Sequence, residues 1–291
     1  MTPCILAATD LSAPSRHAVD RAYRLAAEHG WPLHLVHAIA PGLFDGLQAL
    51  LGSAAPPLDA ALAEAAAAQL AALNAEPRHA RGVTAQCAVV SGRPTDALPA
   101  HAAAIDAGLL VLGARGEGFL RQLTLGSTAS RLLRKSRQPV LVVKQAPHEP
   151  YRRVLVAIDF SPASLAALAE VRQLAPEATL VLVHAVELPF EGKMQYAGVD
   201  PEIIQRYRIQ AQLDGMQRLR DLARQQALPA SCQLFALHGN APSLLLEQEQ
   251  EQDCDLIVVG KRGTHMIEEL LLGSTTTHLL MESQGDVLIA V

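Results

Sequence analysis

Short apolar runs of four to seven residues recur along the 291-residue chain and alternate with longer stretches of helical character. They fall at residues 5–9, 33–39, 84–90, 109–112 and 140–143, then again at 153–158, 180–186, 231–237, 256–259 and 287–291. Most are apolar at consecutive positions, so both faces of the strand must be buried, which is the mark of parallel sheets covered by helices on each side. The intervening segments include an alanine-rich stretch at 58–73 and a longer one at 201–226. Strand and helix in alternation predict an α/β fold: two tandem doubly wound, Rossmann-like domains, each with a five-stranded parallel sheet. The short polar segment 145–150, which carries Pro147 and Pro150, reads as the linker, placing the domains at 1–147 and 148–291. The Gly-, Pro- and Ala-rich segment 41–57 is the least regular and reads as a loop.

The same glycine pattern closes the fourth run of each half. Gly113-Ala-Arg-Gly116 is followed by Gly126-Ser127, and Gly260-Lys-Arg-Gly263 by Gly273-Ser274, with all three glycines displaced by 147 positions. Each pattern leaves a strand and opens a helix, where glycine lets backbone N–H groups approach an anion and the helix N-terminus favours negative charge. The first run of each half ends in Asp-x-Ser, at Asp10 and Ser12 and at Asp159 and Ser161. Ser161-Pro162 suits an N-cap with proline at the first helical position, and Ser12 to Ser15 offers similar choices. Ligands of open parallel sheets bind at the carboxyl ends of the strands where strand order reverses. Should the first and fourth strands be neighbours, each Asp faces the same crevice as the glycines, placed to accept hydrogen bonds from ribose hydroxyls.

Composition narrows the functional classes. No segment approaches the roughly 18 consecutive apolar residues of a membrane span, and the amino terminus lacks the features of a secretory signal, so a soluble, cytosolic protein is expected. Net charge is −5, divided as 13 basic against 10 acidic residues in 1–147 and 11 against 19 in 148–291. With 3% aromatics and no basic face, neither nucleic acid nor a membrane surface is an expected partner. The four cysteines show no CxxC spacing and read as buried free thiols.

The doubled constellation resembles the ATP-binding branch of the universal stress protein family, whose pattern is Gly-x2-Gly-x9-Gly-Ser/Thr. Gly113, Gly116, Gly126 and Ser127 match it, as do Gly260, Gly263, Gly273 and Ser274, and the resemblance spans nearly the whole chain. It implies further ATP contacts at Asp10, Ala38, Leu112 and Thr128 in the first half and at Asp159, Ala185, Val259 and Thr275 in the second. Ala38 and Ala185 are placed there by the shared Val-His-Ala triplets. The resemblance also implies ATP, with or without Mg, as the ligand, a role in stress response, and unidentified protein partners. Pairing of the last strands, 140–143 and 287–291, would make the chain an intramolecular pseudo-dimer, with homodimerisation left open. The spacers differ: Arg121 lies in the first, Glu268 and Glu269 in the second, which ranks the first site as the stronger. Arg115, Lys261 and Arg262 could offset the acidic residues, although solvent is the expected place for each.

Other chemistries find less support. His34 and His37 sit an odd number apart on a strand and so cannot share one metal ion. His37 and His184 read as structural residues near strand ends. There is no GxxxxGK[ST], no GxSxG and no HExxH. No base for hydrolysis can be named, so binding and nucleotide-dependent signalling, with at most slow hydrolysis or autophosphorylation, is the leading expectation. The alternatives are an adenylyl- or phosphoryl-transferring enzyme of the same fold superfamily and a domain pair whose crevices hold another ligand or nothing.

Overall fold

The computed structural model describes residues 3–42, 58–76, 80–114, 126–261 and 272–291. The chain divides after Pro150 into two compact units. In the first, strands β1 (Cys4–Ala8), β2 (Leu33–Ile39), β3 (Gln86–Ser91), β4 (Ala107–Gly113) and β5 (Val140–Val143) alternate with helices α1 (Arg16–His29), α2 (Leu58–Ala75), α3 (Pro94–Ala104) and α4 (Ser127–Lys135). In the second, β6 (Arg153–Ala157), β7 (Thr179–Val186), β8 (Gln233–His238), β9 (Leu256–Gly260) and β10 (Asp286–Ala290) alternate with α5 (Pro162–Leu174), the short α6 (Glu191–Tyr196), α7 (Pro201–Gln225), α8 (Ala241–Glu251) and α9 (Ser274–Glu282).

Within each unit the five strands are parallel, in the order 3-2-1-4-5 of that unit's own strands. The chain therefore builds outward from β1 to β3 and returns across β1 to place β4, and it does the same from β6 to β8 and back to β9. First and fourth strands are neighbours in both domains, and the crevice of a reversed strand order opens between them. The fold is the expected pair of doubly wound α/β domains.

The sequence runs explain the core. Ile5, Leu6 and Ala7 of β1, and Val154, Leu155 and Val156 of β6, have no solvent exposure, because helices cover both faces of each central strand. Strand β3, at the edge of the first sheet, is half-buried to exposed, and Cys87 on it is exposed rather than buried as expected. Cys232, just before the edge strand β8, is half-buried, whereas Cys4 and Cys254 are in the core. All four thiols are unpaired by disulfides. Burial pushes the Cys232 thiol up to about 11 and the Cys254 thiol up to about 12, so neither forms a reactive thiolate near neutral pH.

No described helix is long and apolar enough to cross a membrane. Segment 43–57, most of the irregular loop, lies outside the described residues.

Candidate functional site

Both first strands end in the same turn. In the second domain the Asp159 Oδ1 atom accepts hydrogen bonds from the Ser161 backbone N–H at 2.9 Å and from its hydroxyl at 2.5 Å. Phe160 between them takes a left-handed conformation, φ 62°. Such a conformation costs a residue with a side chain about 1–2 kcal/mol, and two hydrogen bonds to a carboxylate offset it. Ser161 then caps α5, accepting from the Ser164 N–H at 3.2 Å, with Pro162 at the first helical position. The first domain repeats the turn with Asp10, Leu11 at φ 64°, and Ser12. Its helix starts later, after Ser15, without a side-chain cap. Asp-x-Ser is thus a local device that fixes the direction of the carboxylate at the strand end.

The fourth strand delivers the glycines to the same edge. Gly260 ends β9, and adding a Cβ there would bring it within 2.9 Å of the Ala163 carbonyl carbon and Cβ. Gly273 caps α9 without a side-chain hydrogen bond to its first turn, and the helix start lies at the crevice, lined by Gly273, Ser274 and Thr275. The Thr276 hydroxyl donates to the Gly260 carbonyl at 3.3 Å and ties helix start to strand end. In the first domain the Gly126 N–H donates to the Ala114 carbonyl at 3.0 Å, and α4 likewise starts without a side-chain cap.

In the second domain these parts enclose a cavity of about 690 Å3, within the range of small-ligand sites. Asp159, Ala185, Val259, Gly260, Gly273, Ser274 and Thr275 all line it. In the first domain Asp10 follows β1, Ala38 lies near the end of β2, Leu112 and Gly113 end β4, and Gly126, Ser127 and Thr128 begin α4. Gly116 and Gly263 fall outside the described residues, as do Arg115, Arg121, Arg262, Glu268 and Glu269. Lys261 departs from the expectation of solvent: it is 5% exposed, and its N–H donates to the Ala290 carbonyl at 2.7 Å, which folds the residue inward. Among the described residues no group of three or more metal-ligating side chains is assembled.

One wall of the cavity was not legible in the glycine pattern. Helix α7 begins with the Asp200 side chain accepting from the Glu202 N–H at 2.8 Å and Pro201 at its first position. Tyr207, Gln210, Asp214 and Arg218 on it face the cavity. Their spacing of three and four residues puts them on one side of a helix. Gly215, on the buried side, lets the helix approach the sheet; a Cβ there would meet His184 at 3.0 Å. The available signal was a polar stripe on a helix that also needs a buried face.

His184 proves both structural and cavity-lining. Its Nδ1–H donates to the Ile158 carbonyl at 2.7 Å, as His37 Nδ1–H does to Thr9 at 2.8 Å. Burial pulls the His184 pKa down and the Arg218 charge adds to this, while the Ile158 carbonyl and Asp159 pull the other way. His34 is lowered by burial and by neighbouring His101. The folded state then binds fewer protons than the unfolded chain, whose imidazoles titrate near 6.5, so stability falls as pH falls below that value. Urea melts from pH 7.5 to 5 should show this loss and a shallower one in His34→Gln/His184→Gln; equal slopes would refute the assignment.

These features define a doubly wound domain with its crevice built from a strand-end carboxylate and an uncapped helix start. The family model for the universal stress protein family matches residues 1–144 and again 150–290. The chain belongs to the universal stress protein family, with two such domains in tandem. Over 289 residues it is 27% identical to a universal stress protein of Mycolicibacterium smegmatis, covering 98% of this chain and 96% of that one. Over 144 residues it is 35% identical to a universal stress protein A homologue of Coxiella burnetii, covering 47% of this chain and 93% of the other. A solved universal stress protein from Archaeoglobus fulgidus shares the fold over 99% of this chain and 97% of its own, with a TM-score of 0.68 and 19% identity.

Proposed function

We propose that the chain binds ATP at the carboxyl-edge crevice of each domain and acts as a nucleotide-dependent regulatory module in the cytosol, not as an efficient enzyme. The observation that carries this reading is the second-domain cavity. It brings Asp159, the end of β9 and the uncapped start of α9 around one space of about 690 Å3. A helix start without a side-chain cap suits phosphate, and a fixed carboxylate suits ribose hydroxyls. The residues assigned to ATP are Asp159, Ala185, Val259, Gly260, Gly263, Gly273, Ser274 and Thr275. Their counterparts in the first domain are Asp10, Ala38, Leu112, Gly113, Gly116, Gly126, Ser127 and Thr128.

A Cβ at Gly126 would lie 3.6 Å from the Ala114 carbonyl, an ordinary contact, so a side chain can be added at this helix start without disrupting the backbone. The variant Gly126→Val should remain folded and lose ATP affinity at the first site by about tenfold or more, since crowding the cradle removes charge-assisted N–H contacts. Calorimetry on the full chain checks it. Unchanged affinity in the folded variant would remove the cradle from the ATP site.

A further inference from the structure

The polar wall of α7 distinguishes the two domains. Buried Gly215, Leu219 and Leu222 of α7 align with buried Ala66, Leu70 and Leu73 of α2 at a constant offset of 149 positions. Asp10 and Asp159 are separated by the same offset. On that alignment Gln210, Asp214 and Arg218 correspond to Ala61, Ala65 and Gln69, and Phe160 corresponds to Leu11.

Arg218 and Phe160 act together. The guanidinium carbon lies 3.8 Å from the centre of the Phe160 ring, and that ring meets His184 edge-on at 4.7 Å between centres. Cation–π contact of this kind restricts an otherwise mobile side chain. At the corresponding positions the first domain carries Leu11 and Gln69, neither a ring nor a cation. Among the described residues lining the second cavity, Arg218 is the one Lys or Arg, set against the carboxylates of Asp159, Glu187 and Asp214. The Asp214 Oδ1 atom is engaged by the Gln210 amide at 2.8 Å. Removing Arg218 would leave a wall of carboxylates that repels an anion and is indifferent to a neutral ligand.

We infer that Arg218, held on the Phe160 ring, is a specificity-determining residue of the second cavity that selects phosphorylated over unphosphorylated nucleosides. This rests on the nucleotide reading of the cavity above.

The test uses the full chain with 13C-labelled histidine, following the His184 ring resonance so that binding is read at the second cavity. Its partners are ATP and adenosine. Arg218→Met, which keeps the aliphatic stem on Phe160, should weaken ATP by roughly ten- to a hundredfold and change adenosine by less than about twofold. Arg218→Lys should retain most of the ATP affinity. Phe160→Leu, which keeps the charge and removes its platform, should give an intermediate loss for ATP alone, and it decides the question if Arg218→Met fails to fold. The inference falls if ATP binding to the variants is unchanged, or if adenosine weakens as much as ATP. If neither ligand moves the His184 resonance in the wild-type chain, the nucleotide reading itself fails, and the inference with it.

Discussion

Replacing Gly260 with alanine is expected to destabilise the second domain by about 2–3 kcal/mol, far more than the same change at Gly126. The two glycines belong to one repeated motif but meet different surroundings. A Cβ on Gly260 would lie 2.9 Å from the Ala163 carbonyl carbon and 3.0 Å from its oxygen, so backbone must give way. At Gly126 the nearest atom among the described residues is a carbonyl oxygen at 3.6 Å, so alanine fits. Denaturant melts of the two variants measure this directly, and equal, small losses would show that the start of α5 yields without cost. The result matters for function as well. Weakened ATP binding in a Gly260 variant would not by itself implicate phosphate, because the residue is required where β9 passes the start of α5. Gly126, which caps its helix at φ −58° and has room for a Cβ, is the cleaner position for testing the cradle.

Most of the fold was legible because parallel strands buried on both faces leave uninterrupted apolar runs, such as Leu256-Ile257-Val258-Val259, that turn residues separate sharply. The crevice was legible for a related reason: its parts are local, an Asp-x-Ser turn and a glycine-capped helix, each readable within a few residues. Helix α7 was not. Its contribution depends on which face of a 25-residue helix turns inward, and Ile209 and Leu213, both exposed, blur the stripe that would have shown it. The Phe160–Arg218 contact joins residues 58 positions apart, and nothing local announces it. Lys261 was misplaced for a similar reason. A lysine between two glycines reads as a loop cation, yet its backbone continues the pairing of β9 and β10 through the Ala290 carbonyl.

Glu249 is the second position where a single substitution should have a large effect. It lies in Glu247-Gln-Glu-Gln-Glu251, a stretch whose composition suggests a solvated helix face, yet it is 3% exposed. Its Oε1 atom accepts from the backbone N–H groups of Gln284 at 3.1 Å and Gly285 at 2.7 Å, in the turn that leads into β10. Any side chain on Gly285 would strike the Asp255 carbonyl oxygen at 2.8 Å, so the turn sits tight against its neighbours and cannot swing out to water. Glu249→Ala strands both donors and should cost about 3–5 kcal/mol, whereas Glu249→Gln keeps an acceptor, loses the charge, and should cost about 1–2 kcal/mol. Urea melts rank the two, and an alanine variant as stable as wild type would show that the turn finds other acceptors. Glu249 lies near the carboxyl end of α8, while the cavity uses Ala241 and Leu245 nearer its start. The Glu249→Gln variant, though less stable, should therefore gain the same free energy from ATP as the wild-type chain at equal ATP concentration, because ligand stabilisation then depends only on affinity.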